Sequence, residues 1–148
     1  MLRDLAAVAL MTLAAGACLP APLAAAADGD QLVDVQDGRL RCPVSAHYGA
    51  AGQPMVICGM SNGAPFGASP NSTGTSTPLN LAVMHGTGQS YWAAGTLPGN
   101  AADPVSLGVG QTYAANGWTI TNEADRARVT NDDSGHGLLL NVVNWRAF

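Results

Sequence analysis

Gly59-Met60-Ser61-Asn62-Gly63 has the Gly-x-Ser-x-Gly spacing with which serine hydrolases expose a nucleophilic hydroxyl on a sharp strand-to-helix turn. Here Pro65, Gly67 and Pro70 follow and leave no room for that helix. The glycines are therefore read as turn residues, and no catalytic residue is assigned. His47, His85 and His136 stand on separate segments. They lack the i,i+2 strand spacing or i,i+4 helix spacing that brings metal ligands together. No metal and no cofactor is expected.

Asn131-Asp132-Asp133-Ser134-Gly135-His136-Gly137 is the densest polar stretch. Alternating oxygens of this kind can hold calcium, but the further spaced acid that would complete a cage is missing. Asx-turn chemistry accounts for the same residues without a metal. The candidate contact residues are Asn131, Asp132, Asp133, Ser134 and His136, on a loop presented to a partner. Tyr91, Trp92, Trp118 and Trp145 have the chemistry of a sugar-stacking platform, yet aromatics are 5% of the chain and the core has first claim on them.

Of the three cysteines, Cys18 lies in an N-terminal stretch built like an export signal. Arg3 precedes an uncharged apolar run from Leu5 to Leu19, Pro20 and Pro22 break it, and small residues Ala24 to Ala27 follow. The run is shorter than the roughly 20 residues a spanning helix needs. Residues 1–27 are expected to be a removable signal peptide, with no retained membrane span. Lipid attachment at Cys18 is the alternative fate of the same segment. Either route leaves Cys42 and Cys58, which are expected to pair as a disulfide in an oxidising compartment. Closing a loop of this size is worth about 3 kcal/mol in the chain-entropy treatment.

All six basic residues are arginine; against ten acids they give a formal net charge of −4. An acidic chain without a basic cluster is a poor match for nucleic acid. Residues 28–148 suffice for one hydrophobic core and not for two.

Short β-branched and aromatic runs alternate with turn residues along that domain. Strands are expected at 31–36, 39–45, 55–60, 79–85, 90–97, 105–113, 118–122, 126–131 and 138–145, with Asp37-Gly38 and Asn116-Gly117 supplying tight turns. Residues 61–78, rich in Ser, Thr, Gly and Pro, read as one long surface loop. The expected fold is all-β, a small antiparallel sandwich or partly open barrel with one disulfide.

Gly117-Trp118-Thr119-Ile120, then Arg128-Val129-Thr130-Asn131-Asp132 and Ser134-Gly135-His136-Gly137, together with Arg41-Cys42 and Val56-Ile57-Cys58, resemble small exported proteins of actinobacteria, mycobacteria especially. In those proteins a strand enters a Ser/Thr-Gly-His-Gly turn before a final strand. The resemblance implies an extracytoplasmic compartment and no particular activity.

The function expected from these readings is a non-enzymatic binding or structural module of the cell envelope or extracellular space. Its partner would be a protein or envelope component of unknown identity, met by loop 61–78 and turn 131–137. Two alternatives stand beside it. One is a small envelope hydrolase, which needs His85 or His136 within reach of a Ser or Asp in a cleft. The other is a protease-inhibitor-like protein that presents loop 61–78.

Overall fold

The computed structural model describes residues 23–24, 29–97 and 103–148. Most of the expected leader, Cys18 included, lies outside the described residues. Within them the chain forms twelve strands and no helix: β1 (Leu23–Ala24), β2 (Gln31–Val35), β3 (Leu40–Tyr48), β4 (Gln53–Met60), β5 (Leu81–His85), β6 (Ser90–Ala93), β7 (Val105–Ser106), β8 (Thr112–Ala115), β9 (Trp118–Asn122), β10 (Ala127–Asn131), β11 (Gly137–Leu140) and β12 (Trp145–Ala147).

These strands make two sheets. One runs β6-β5-β4-β3-β2-β7 and the other β1-β8-β9-β10-β11-β12. All neighbours are antiparallel except the short pairs β2·β7 and β1·β8. The fold is a β-sandwich, because each sheet alternates and turns its apolar rank toward the other. Val33, Val35, Leu40, Cys42, Val44, Val56, Cys58, Ala82 and Met84 from the first sheet share one buried cluster with Tyr113, Ala115, Trp118, Ile120, Ala127, Val129, Leu138 and Leu140 from the second. Trp118 is its largest member, and its indole N–H donates to the Ser45 carbonyl across the interface at 3.2 Å. Cys42 and Cys58 are bonded across adjacent strands β3 and β4, and both are fully buried in this core.

The first sheet also carries an apolar outer face. Ile57, Leu81 and Val83 form a second cluster there with Tyr48, Met55, Ala93 and Leu97. Gly59 lacks the side chain that would otherwise crowd Leu81 and Leu97.

Two expected strands are each split in two. Residues 105–113 divide into β7 and β8, which belong to opposite sheets. Between them Leu107 enters the core, and Gly108 and Gln111 close a turn in which the Gln111 side chain accepts from the Gly108 N–H at 2.8 Å. Residues 138–145 divide into β11 and the start of β12, joined by a turn at Asn141–Asn144. The Asn141 Oδ1 accepts from the Val143 and Asn144 N–H groups at 2.9 and 3.0 Å, and that local bond outcompetes strand continuation.

The connections gather at two ends. At the hairpin end sit the β3–β4, β5–β6, β8–β9 and β10–β11 turns, tied by Gly86 N–H to Pro54 carbonyl and Asp132 N–H to Gly117 carbonyl. At the loop end sit the β2–β3, β9–β10 and β11–β12 turns with the segment from Ser61 to Asn80. A buried polar clamp joins the sheets at that end: Gln36 Nε2 donates to Asn122 Oδ1 at 2.8 Å, and Asn122 Nδ2 donates to the Leu107 carbonyl at 2.8 Å.

Candidate functional site

The turn at Asn131–Gly137 is a self-consistent knot of hydrogen bonds. Asn131 is buried, and its Oδ1 accepts from the Asp133 N–H, the Ser134 N–H and the Ser134 hydroxyl at 3.2, 3.0 and 3.2 Å. The Asp132 carboxylate accepts from the Thr119 hydroxyl at 2.6 Å. Most of the oxygens that drew attention in sequence therefore build the turn. Among the described residues, no group of three or more His, Cys, Asp or Glu side chains is placed to hold a metal ion.

Glycine explains the Gly-His-Gly pattern here. Gly137 pairs with Thr130 and exchanges two backbone hydrogen bonds with Phe148, each 3.0 Å. A Cβ at Gly137 would collide with the Val129 carbonyl oxygen and the Phe148 ring. The His136 ring lies against Gly88, where a Cβ would come within 2.7 Å of it. His136 thus packs the β10–β11 turn of one sheet onto the β5–β6 turn of the other, with Nδ1 3.4 Å from the Phe148 carbonyl.

Where these turns meet, a groove of about 450 Å³ opens at the hairpin end. Pro54 at the start of β4 and Gly86 and Thr87 of the β5–β6 turn come from the first sheet, and Asn131 at the end of β10 with Asp133 and Ser134 of the following turn from the second. Three of the five candidate contact residues therefore line one concavity. Asp132 and His136 are not among its lining residues; they are held by Thr119 and by Gly88 with Phe148. Pro54, Gly86 and Thr87 carry no signal in the sequence beyond turn chemistry, so their share in the groove was not legible there.

Loop 61–78 lies at the opposite end, so it and turn 131–137 do not form one contact surface. It is braced rather than loose. Phe66 is buried and packs edge-on against Trp92 with ring centroids 5.5 Å apart. The Gly67 and Ala68 N–H groups donate to the Val142 and Val143 carbonyls at 3.0 and 2.7 Å. An isolated bridge between Asn71 and Pro78 closes the base of an exposed tip. The Ser61 hydroxyl donates to the Gly38 carbonyl at 2.6 Å. It thereby staples the loop's start to the β2–β3 turn.

A second groove, about 430 Å³, lies beside this loop's base. Leu32, Met60, Leu81 and Leu97 give it apolar walls, and Asn80 ties its rim through bonds to Gly95 and Gly63. Arg41 enters it already engaged: its Nε and one terminal nitrogen donate to the Asp34 carboxylate at 2.7 and 3.0 Å. That hydrogen bond, opposed by partial burial, holds the guanidinium pKa above its ordinary value.

The histidines remain apart. His47 Nδ1 lies 3.1 Å from the Gly52 carbonyl, and His85 Nε2 lies 3.2 Å from the Tyr91 hydroxyl. Among the described residues, no His side chain is hydrogen-bonded to a Ser or Asp side chain, which is the pair a hydrolase of the expected kind needs. The four aromatics do not form a platform either. Trp118 is in the core, Trp92 packs at a 50° tilt against Trp145 with ring centroids 5.1 Å apart, and Tyr91 alone of the four is exposed.

The chain finds no match among protein-family models, among curated proteins or among solved structures.

Proposed function

We propose that this protein is an extracytoplasmic binding module without catalytic activity, and that it receives its partner in the groove at the hairpin end. The observation that carries this reading is the convergence of Asn131, Asp133 and Ser134 with Pro54, Gly86 and Thr87 around about 450 Å³. Turns from both sheets frame it, so a rigid sandwich holds a contact surface of fixed shape. The buried Cys42–Cys58 bond supports the extracytoplasmic part of the reading, since such bonds persist in oxidising compartments. No helix among the described residues is long and apolar enough to cross a membrane.

Filling the groove tests it. Thr87→Arg places a long side chain in the lining at an exposed turn. Envelope extracts passed over the intact protein and the T87R variant should yield a component held by the first and lost by the second. An identical set on both sets the groove reading aside. Intact mass of material recovered outside the cell tests the compartment: a start near Ala27 or Asp28 and a mass two units below the dithiol are expected.

One observation favours a second reading, a protease-inhibitor-like protein. Loop 61–78 is clamped by Phe66, Val142, Val143 and the Asn71–Pro78 bridge, while its tip is exposed. Inhibitory loops have that construction, because rigidity resists cleavage. Limited proteolysis decides: rapid cutting between Ser72 and Thr77 removes this reading.

A further inference from the structure

The β11–β12 turn and its flanks carry an excess of hydrogen-bond donors that the fold itself does not use. A hollow of about 240 Å³ lies there, lined by Asp125, Arg126, Leu139, Leu140, Asn141, Asn144, Trp145 and Arg146. The oxygens of its two asparagines are engaged by the turn: Asn141 Oδ1 holds the Val143 and Asn144 N–H groups, and Asn144 Oδ1 accepts from the Trp145 N–H at 2.8 Å. Their amide nitrogens make no hydrogen bond among the described residues, so both side chains offer the hollow free N–H donors.

The charges point the same way. Arg146 is exposed, with no carboxylate within 4.0 Å among the described residues. Arg126 uses its Nε on Glu123 at 2.5 Å, which leaves its terminal nitrogens unassigned. Arg128 stands on the same sheet, 5.2 Å over the Phe148 ring, and also reaches Glu123 at 3.3 Å. Half of the chain's six arginines thus gather beside two acids, Glu123 and Asp125, in a chain of net charge −4. Within the lining itself two guanidiniums face one carboxylate.

We infer that this hollow binds a small oxyanion group, carboxylate or phosphate, of the kind borne by a uronic acid or a phosphorylated sugar. Forked guanidinium donors match the planar or tetrahedral oxygens of such groups, and amide N–H groups add directed contacts at the side. The site is independent of the groove at the hairpin end, and the failure of either leaves the other standing.

The test is titration of the native protein with three probes, inorganic phosphate, glucuronate and glucose, followed through the amide resonances of Asn141, Asn144 and Arg146. Saturable shifts with phosphate or glucuronate, absent with glucose and weakened by added salt, are expected. A response to phosphate alone assigns the phosphoryl class and one to glucuronate alone the carboxylate class; a response to both supports the shared chemistry. Arg146→Gln, at an exposed position, should weaken binding about tenfold. Arg146→Lys should restore part of the loss, and Arg39→Gln, on the β2–β3 turn, should leave binding unchanged. No saturable shift with either anion, or equal titrations for the R146Q variant and the parent, overturns the inference.

Discussion

Two turns of this sandwich use the same device and end with opposite surfaces. At Asn131 and at Asn141 a side-chain oxygen accepts backbone N–H groups two and three residues ahead. Asn131 is buried, its neighbours are acids and a serine, and Thr119, Gly88 and Phe148 absorb what the turn does not. Asn141 is half-buried and flanked by Trp145, Arg126 and Arg146, and its own donors stay free. The Asx oxygen shapes the chain; packing decides whether the remaining polar groups are consumed or presented. A dense run of polar residues therefore marks a binding surface only through the side chains that its own turn leaves over, here the Asp133 carboxylate at the groove.

Substitutions that separate the two turns sharpen this contrast. Gly137→Ala should be the most damaging, because its Cβ meets the Val129 carbonyl within the sheet and cannot move aside. A loss of about 3 kcal/mol in denaturant unfolding is expected. A parent-like midpoint would show that the β10–β11 turn is not closed as described. Asn131→Ala should cost about 2 kcal/mol, since it removes a buried acceptor that holds two backbone N–H groups and the Ser134 hydroxyl. Asn141→Ala should cost less than about 1 kcal/mol, as water can replace the lost oxygen at the more accessible turn. Equal losses for the two asparagines would erase the distinction between them.

The smallest effect is electrostatic. The hydrogen bond from Arg126, partly offset by burial and reinforced by that from Arg128, holds the Glu123 carboxyl below its ordinary range. A folded-state pKa that is depressed adds stability above the unfolded value, and that addition is lost as pH falls through the folded value. Glu123→Gln should therefore differ from the parent near neutrality and converge with it in acid. A gap that widens on acidification would contradict the pairing.

Much of the architecture was legible because its signals are local. Asn116-Gly117 takes positive φ at both residues (56° and 80°) and joins β8 to β9. Alternation such as Trp118, Ile120 and Asn122 facing inward marks a strand without reference to partners. The breaks within 105–113 and 138–145 escaped the same logic. Their residues remain compatible with extended chain, and only the competing bonds of Gln111 and Asn141 divide them. The candidate contact loop was located, but which of its side chains line a groove depends on Pro54, Gly86 and Thr87, which lie 44 or more residues away.

By itself, then, the chain's order of residue types determined an all-β fold, because strand period and turn chemistry are written over short distances, and it pointed to Cys42 joined to Cys58 through the expected fate of Cys18. The tertiary structure alone decided that loop 61–78 and turn 131–137 stand at opposite ends, that Arg126 and Arg146 meet in the hollow beside the β11–β12 turn, and that His136 is a packing residue against Gly88. Those facts follow from which sheet each strand joins, and sheet assignment is settled by contacts between residues far apart in sequence.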